Sequence, residues 1–281
     1  MIIDFHTHIF PPKVKEDRDG YFADPLFKVC YSSPKSRVIT ADDLVQAMDR
    51  EGIDVSVVMN LGWSSPELCR ETNDYILESV ARYPERLAGF CMVQPLSGEQ
   101  AVREIERCAA AGARGIGEMV PDVQGFPLND DGPMKPVAEE LVRRNLILLL
   151  HASEPVGHEY PGKLKDTPEI LYPFILKHPE LKTVLAHWGG GLPFYALMPE
   201  VARALGNVYF DTSATPYLYL ADVFRCVSEI IGANRVLFGS DYPLLSPQRI
   251  IDQVGMLGFS VSDRTAILGG NAERLLGWAS K

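Results

Sequence analysis

Short apolar runs recur along the chain, separated by longer amphipathic segments. The runs cover residues 2–5, 55–59, 87–93, 115–119, 147–150, 183–186, 208–210 and 236–238. Each is of strand length and rich in Val, Ile and Leu, the pattern of strands buried on both faces. Between them, apolar positions recur at helical spacing over 40–50, 66–83, 98–111, 136–145, 171–177, 194–205, 220–231 and 246–256. The boundaries carry their own signals. Thr40 opens the first helix as a cap and Gly52 follows its end, while Pro84 stands just past the second. Eight strands, each followed by a helix, predict a (β/α)8 TIM barrel that takes in residues 1–281 as a single domain. Two short helices, over 262–268 and 271–278, close the chain. A doubly wound open sheet is the alternative, but no Gly-x-Gly-x-x-Gly turn follows any strand.

Two connections are long for such a barrel: 9–39 after the first strand and 153–169 after the fifth. Both leave strand C-terminal ends, the face on which barrel enzymes build their sites, and both predict lids or substrate walls. The residues standing at those ends are His6 and His8, Glu118, His151, His187, Asp211 with Ser213, and Asp241. His6 and His8 lie two apart, so on a strand they point to the same side. The chain has 6 histidines, and four of them belong to this one ring. Converging imidazoles and carboxylates are costly unless a cation neutralises and orients them, so the ring predicts a metal site.

Composition narrows the partners. Lys and Arg number 27 against 37 Asp and Glu, a net charge of −10 that repels nucleic acid and anionic lipid surfaces. No apolar run approaches the roughly 20 residues of a membrane span, and the first residues show no signal-peptide pattern. The five cysteines (Cys30, Cys69, Cys91, Cys108 and Cys226) form no Cys-x-x-Cys pair, and their odd number argues against a disulfide framework. A cytoplasmic location, a small-molecule substrate and neither nucleic acid nor membrane as partner are the expectation.

In order along the chain, IIDFHTH, LLLHASEP, VLAHWGGGLP, LFGSDYP and GGNAERLLGW resemble the amidohydrolase superfamily. Within it they are closest to the amidohydrolase-related branch, which contains hydrolases and aromatic or enoic acid decarboxylases. The resemblance covers essentially the whole chain. It implies one or two divalent metals at the barrel mouth, zinc first and manganese as the alternative. The implied ligands are His6, His8, His151 and Asp241. His187 is then a ligand to a second metal or a catalytic imidazole beside a single one. Glu118 is either a bridging ligand or a structural hydrogen-bonding group. The resemblance also implies a homodimer, with no interface legible in the sequence.

A metal with an open position lowers the pKa of its water to about 7. Asp241 would then act as the base and His187 would polarise a carbonyl. These roles describe hydrolysis of an amide, lactone or ester in a small organic molecule, which is the favoured expectation because a strand-four carboxylate suits two metals. Non-oxidative decarboxylation of an aromatic or enoic acid is the alternative, and a catalytically inactive ligand-binding barrel is a third. A decarboxylase needs a cation to grip a carboxylate, and Arg37, Lys163 and Lys165 lie on the correct face. Arg37, Trp63 and His158 are the candidate substrate contacts. Asp211 is expected to hold a ligand histidine, and Asp4 to lie deeper on the side that His6 faces. His178 falls at the opposite end of the barrel.

Overall fold

The apolar runs form eight strands: β1 (Ile3–His8), β2 (Val55–Met59), β3 (Leu87–Cys91), β4 (Gly115–Met119), β5 (Ile147–Leu150), β6 (Lys182–Leu185), β7 (Val208–Asp211) and β8 (Val236–Leu237). All neighbours pair in parallel, in sequential order. The ring is drawn together where the Phe5 N–H donates to the Phe238 carbonyl at 2.7 Å and the Asp241 N–H to the His6 carbonyl at 2.9 Å. A parallel bridge between Thr7 and Tyr242 continues that seam. This (β/α)8 barrel is a computed structural model that describes residues 1–128 and 132–278.

Helices stand where the spacing predicts them, with one instructive exception. The helix expected over 194–205 is broken: residues 188–191 run left-handed, a short turn follows as far as Leu197, and a separate helix spans Pro199–Ala204. Pro199 has no N–H to continue the short turn but suits the first turn of a new helix. Among the described residues no helix is long and apolar enough to cross a membrane.

The core has two shells. Ile3, Phe5, Val57, Phe90, Leu149, Val184 and Leu237 pack inside the barrel, and Leu275 and Leu276 of the helix Asn271–Leu276 join them. The larger outer shell fills the space between strands and helices.

Strict alternation along β1 would put Ile3 and Phe5 on one side and His6 and His8 on the other. A register shift intervenes: Asp4 pairs with Ser56 but Thr7 with Val58, three residues of β1 against two of β2. A bulge of this kind re-aims the side chains beyond it. Phe5 therefore stays in the inner core, edge-on to Phe90 at 5.7 Å, while His6 and His8 also turn to the mouth. β4 shows the same device between Ile116 and Met119, around Glu118. Asp4 lies fully buried against His6, whose N–H donates to its carboxylate at 3.2 Å. That carboxylate also accepts from the Ser240 N–H at 2.9 Å and from the Ser240 hydroxyl, tying β1 to the loop after β8.

The long connection 9–39 is largely packed rather than open. It carries two short helices, Pro12–Glu16 and Pro25–Tyr31. Phe10, Phe27 and Tyr31 cluster with Trp63, whose ring stacks on Phe27 at 5.4 Å. Trp63 is fully buried, and its Nε1–H donates to Asn60 Oδ1 at 2.6 Å and Thr72 Oγ1 at 3.1 Å. It packs behind the wall of the mouth and carries no accessible surface.

Candidate metal centre and active site

The strand ends bring His6, His8, Glu118, His151, His187 and Asp241 together. His6 Nε2 lies 3.1 Å from His8 Nε2, 3.5 Å from Glu118 Oε2 and 3.9 Å from Asp241 Oδ1. Asp241 Oδ1 is 3.2 Å from His8 Nε2. The other carboxylate oxygen of Glu118 faces the opposite way, 3.0 Å from His151 Nδ1 and 3.4 Å from His187 Nε2. Six donors therefore form two adjoining trios, His6–His8–Asp241 and Glu118–His151–His187, with Glu118 turned towards both.

Each imidazole commits one nitrogen outward. His6 Nδ1 donates to Asp211 Oδ2 at 2.8 Å, and His8 Nδ1 to the Asn60 carbonyl at 3.0 Å. His187 Nδ1 meets the Ser213 hydroxyl at 2.8 Å and its carbonyl at 3.2 Å. His151 Nε2 donates to the Gly162 carbonyl at 3.1 Å. A carbonyl or carboxylate oxygen only accepts, so the outward nitrogen carries a proton, and a cation at the centre would take up the lone pair of the inward one. Metal-binding histidines are held in this way. Two inward lone pairs only 3.1 Å apart, on His6 and His8, repel unless a cation or a proton lies between them. The donor set thus fits a divalent cation.

Without a cation, protons take that role. Burial pulls the His6 imidazole down, but Asp211 and Glu118 outweigh it and hold the ring well above its usual range. Burial opposes protonation of His187 too, yet Glu118 and Asp241 raise it to about 9. The same charges act on their partner: burial pushes Glu118 up, and His6, His151 and His187 together carry it well below the ordinary carboxylate range.

The backbone is unusual at two of these positions. His187 has φ 54° and Asp241 φ 64°, a left-handed conformation costing non-glycine residues about 1–2 kcal/mol each. Such residues concentrate at functional sites. The turn after His187 needs glycine for a further reason, since a Cβ on Gly190 would lie 2.2 Å from the Ser153 carbonyl oxygen.

The remaining candidates scatter. Arg37 donates to the Pro243 carbonyl at 2.9 Å and covers the Tyr242 ring at 4.9 Å, next to Asp241 in sequence. His158 is exposed on the fifth loop, its ring 5.4 Å from Tyr160. Lys165 is exposed, 3.9 Å from Asp122, and the Lys163 ammonium is bound within its own loop. His178 packs on Phe174 ahead of β6, away from the mouth. The sequence did not point to Asn60 or Gly162, because each acts through a carbonyl that every residue type carries.

The amidohydrolase family model Amidohydro_2 matches residues 3–278. The chain belongs to the amidohydrolase family. Two relatives extend the match over most of their own length. The 2-amino-3-carboxymuconate-6-semialdehyde decarboxylase of Dictyostelium discoideum is 24% identical, across 98% of this chain and 91% of that protein. The gamma-resorcylate decarboxylase of Polaromonas sp. is 26% identical, across 86% and 89%. Among solved structures, a dihydroxybenzoic acid decarboxylase from Polaromonas sp., with bound manganese and the inhibitor 2-nitroresorcinol, superposes with a TM-score of 0.76. It is 22% identical and covers 100% of this chain and 98% of that one. The expectation of a family hydrolase is therefore corrected: these relatives are decarboxylases. Glu118 misled because a carboxylate at strand four was read as the mark of a hydrolytic two-metal site. Its charge serves equally to neutralise imidazoles and a cation in another reaction.

Proposed function

We propose that the protein is a metal-dependent, non-oxidative decarboxylase of a small aromatic or enoic carboxylic acid. The observation that carries this reading is the ring of inward lone pairs in a family member whose full-length relatives remove carbon dioxide. His6, His8, His151 and Asp241 would hold a divalent cation, manganese or zinc. Glu118, with one oxygen towards each trio, and His187 would complete a second position when two ions bind. The cation supplies a Lewis-acidic anchor for the oxygens of the substrate.

The chain's own groups do the rest. Arg37, fixed against the Pro243 carbonyl beside the Asp241 loop, attracts the anionic acid to the mouth. Asp241 is the partly exposed carboxylate of the ring, with 15% of its side chain accessible, so it is placed to exchange protons with solvent and deliver one to the substrate. The proton adds to the carbon that bears the carboxylate. The bond to that carboxylate then breaks, its electron pair returns to the ring or alkene, and carbon dioxide leaves. His187, anchored through Nδ1 on Ser213, stabilises negative charge as it shifts.

The test is a panel of hydroxybenzoates and unsaturated diacids offered to the manganese-loaded protein in deuterated water. The expected result is one carbon dioxide released and one deuteron at the vacated carbon for each product molecule. Product retaining its carboxylate and carrying an added water would contradict the reading.

A further inference from the structure

Residues 153–166 form a loop whose ends meet, the Ser153 N–H donating to the Asp166 carbonyl at 2.9 Å. Compact loops of this size are packed by their own side chains and frequently serve function. This one is organised around Lys163. Its ammonium lies 3.2 Å from each of the Val156, Gly157 and His158 carbonyls and from Glu159 Oε1, with only 11% of the side chain exposed. An ammonium has three donors, and consecutive carbonyls occupy them. Lys163 therefore does not grip substrate. The residue before it turns its carbonyl onto His151 Nε2 at 3.1 Å.

That contact decides a tautomer. On its other side, His151 Nδ1 faces Glu118 Oε1 at 3.0 Å, and a carboxylate there favours a proton on Nδ1, the arrangement that leaves no lone pair for a metal. Ser153 Oγ, 3.2 Å from Nε2, also accepts the Leu164 N–H at 2.9 Å, and a hydroxyl can either donate to the ring or accept from it. Of the groups at Nε2, only the Gly162 carbonyl insists on a proton there.

We propose that Lys163 is a positioning residue for the metal centre. By gathering the 156–158 carbonyls it holds the Gly162 carbonyl against His151, so that Nε2 carries the proton and Nδ1 is free to bind a cation. The proposal rests on the reading of this cluster as a metal site, and the experiment separates the two. Ring-nitrogen NMR of His151 reports the tautomer in the metal-free protein, and competition with a chromophoric chelator reports Zn2+ affinity.

In Lys163→Met, the His151 proton is expected to move to Nδ1 and Zn2+ affinity to fall about tenfold, as for other residues that orient metal ligands. Lys163→Gln, which keeps an amide donor on a shorter stem, gives a smaller change in the same direction and serves if the methionine variant does not fold. An unchanged tautomer with unchanged affinity in a folded variant would overturn the proposal. Failure of the wild type to take up Zn2+ would overturn the metal-site reading instead, with the tautomer still testing Lys163.

Discussion

Asp241→Asn is expected to lower kcat by about a thousandfold, within the range usual for loss of a positioned proton donor. The amide keeps the shape of the carboxylate and one oxygen towards His8, 3.2 Å from Oδ1 in the wild type. It cannot carry the proton that the substrate carbon must receive. Binding of the acid through Arg37 and the imidazole ring is retained, so KM changes far less than kcat. Steady-state kinetics on the best acid of the panel, with metal content determined on the same sample, separates loss of the proton from loss of the cation. A kcat within fivefold of wild type, with metal retained, would remove Asp241 from the proton path.

Asp211→Ala carries the largest expected effect on stability, about 3–5 kcal/mol, the range for breaking a buried charged pair. The carboxylate is fully buried. It accepts from His6 Nδ1 at 2.8 Å, from the backbone N–H groups of His187 at 3.1 Å and Ser213 at 3.0 Å, and from the Ser213 hydroxyl. Removing it strands these donors in a dry interior and frees the His6 ring to turn. Burial raises the Asp211 carboxyl, but His6 more than compensates and holds it below its usual value of 3.8. A depressed folded pKa stabilises above the unfolded value, so the contribution is present from about pH 4 upward and is lost as the pH falls through the folded value. Urea unfolding of the metal-free variant at neutral pH checks this. A loss under about 1 kcal/mol would show that the network holds without its acceptor.

The barrel was legible because its signals are redundant. Eight apolar runs, with caps and prolines between them, all point to one architecture. The ring of histidines was legible because every member stands at the end of such a run. The aim of those side chains was not. Plain alternation cannot place Phe5 in the core with His6 and His8 at the mouth, and the bulge between Asp4 and Thr7 is a pairing property with no letter of its own. The packing of Trp63 was not legible for a related reason: an aromatic on a loop reads the same whether it faces the cavity or the helix behind it. The outward partners of His8 and His151 are backbone carbonyls, set by how loops fold and not by which residues compose them. Reaction type was the least legible, since one set of donors serves hydrolysis and decarboxylation alike.

His6, His8 and His151, with Asp241, are expected to hold a divalent cation, and metal content per chain tests this most directly. Wild type and His6→Ala would be purified without chelator, reconstituted with Mn2+ or Zn2+, freed of excess and measured by plasma mass spectrometry. The expected result is at least one ion per chain in the wild type and at least one fewer in the variant, which loses a nitrogen 3.1 Å from His8 Nε2. A wild type that takes up neither ion would contradict the account at its root.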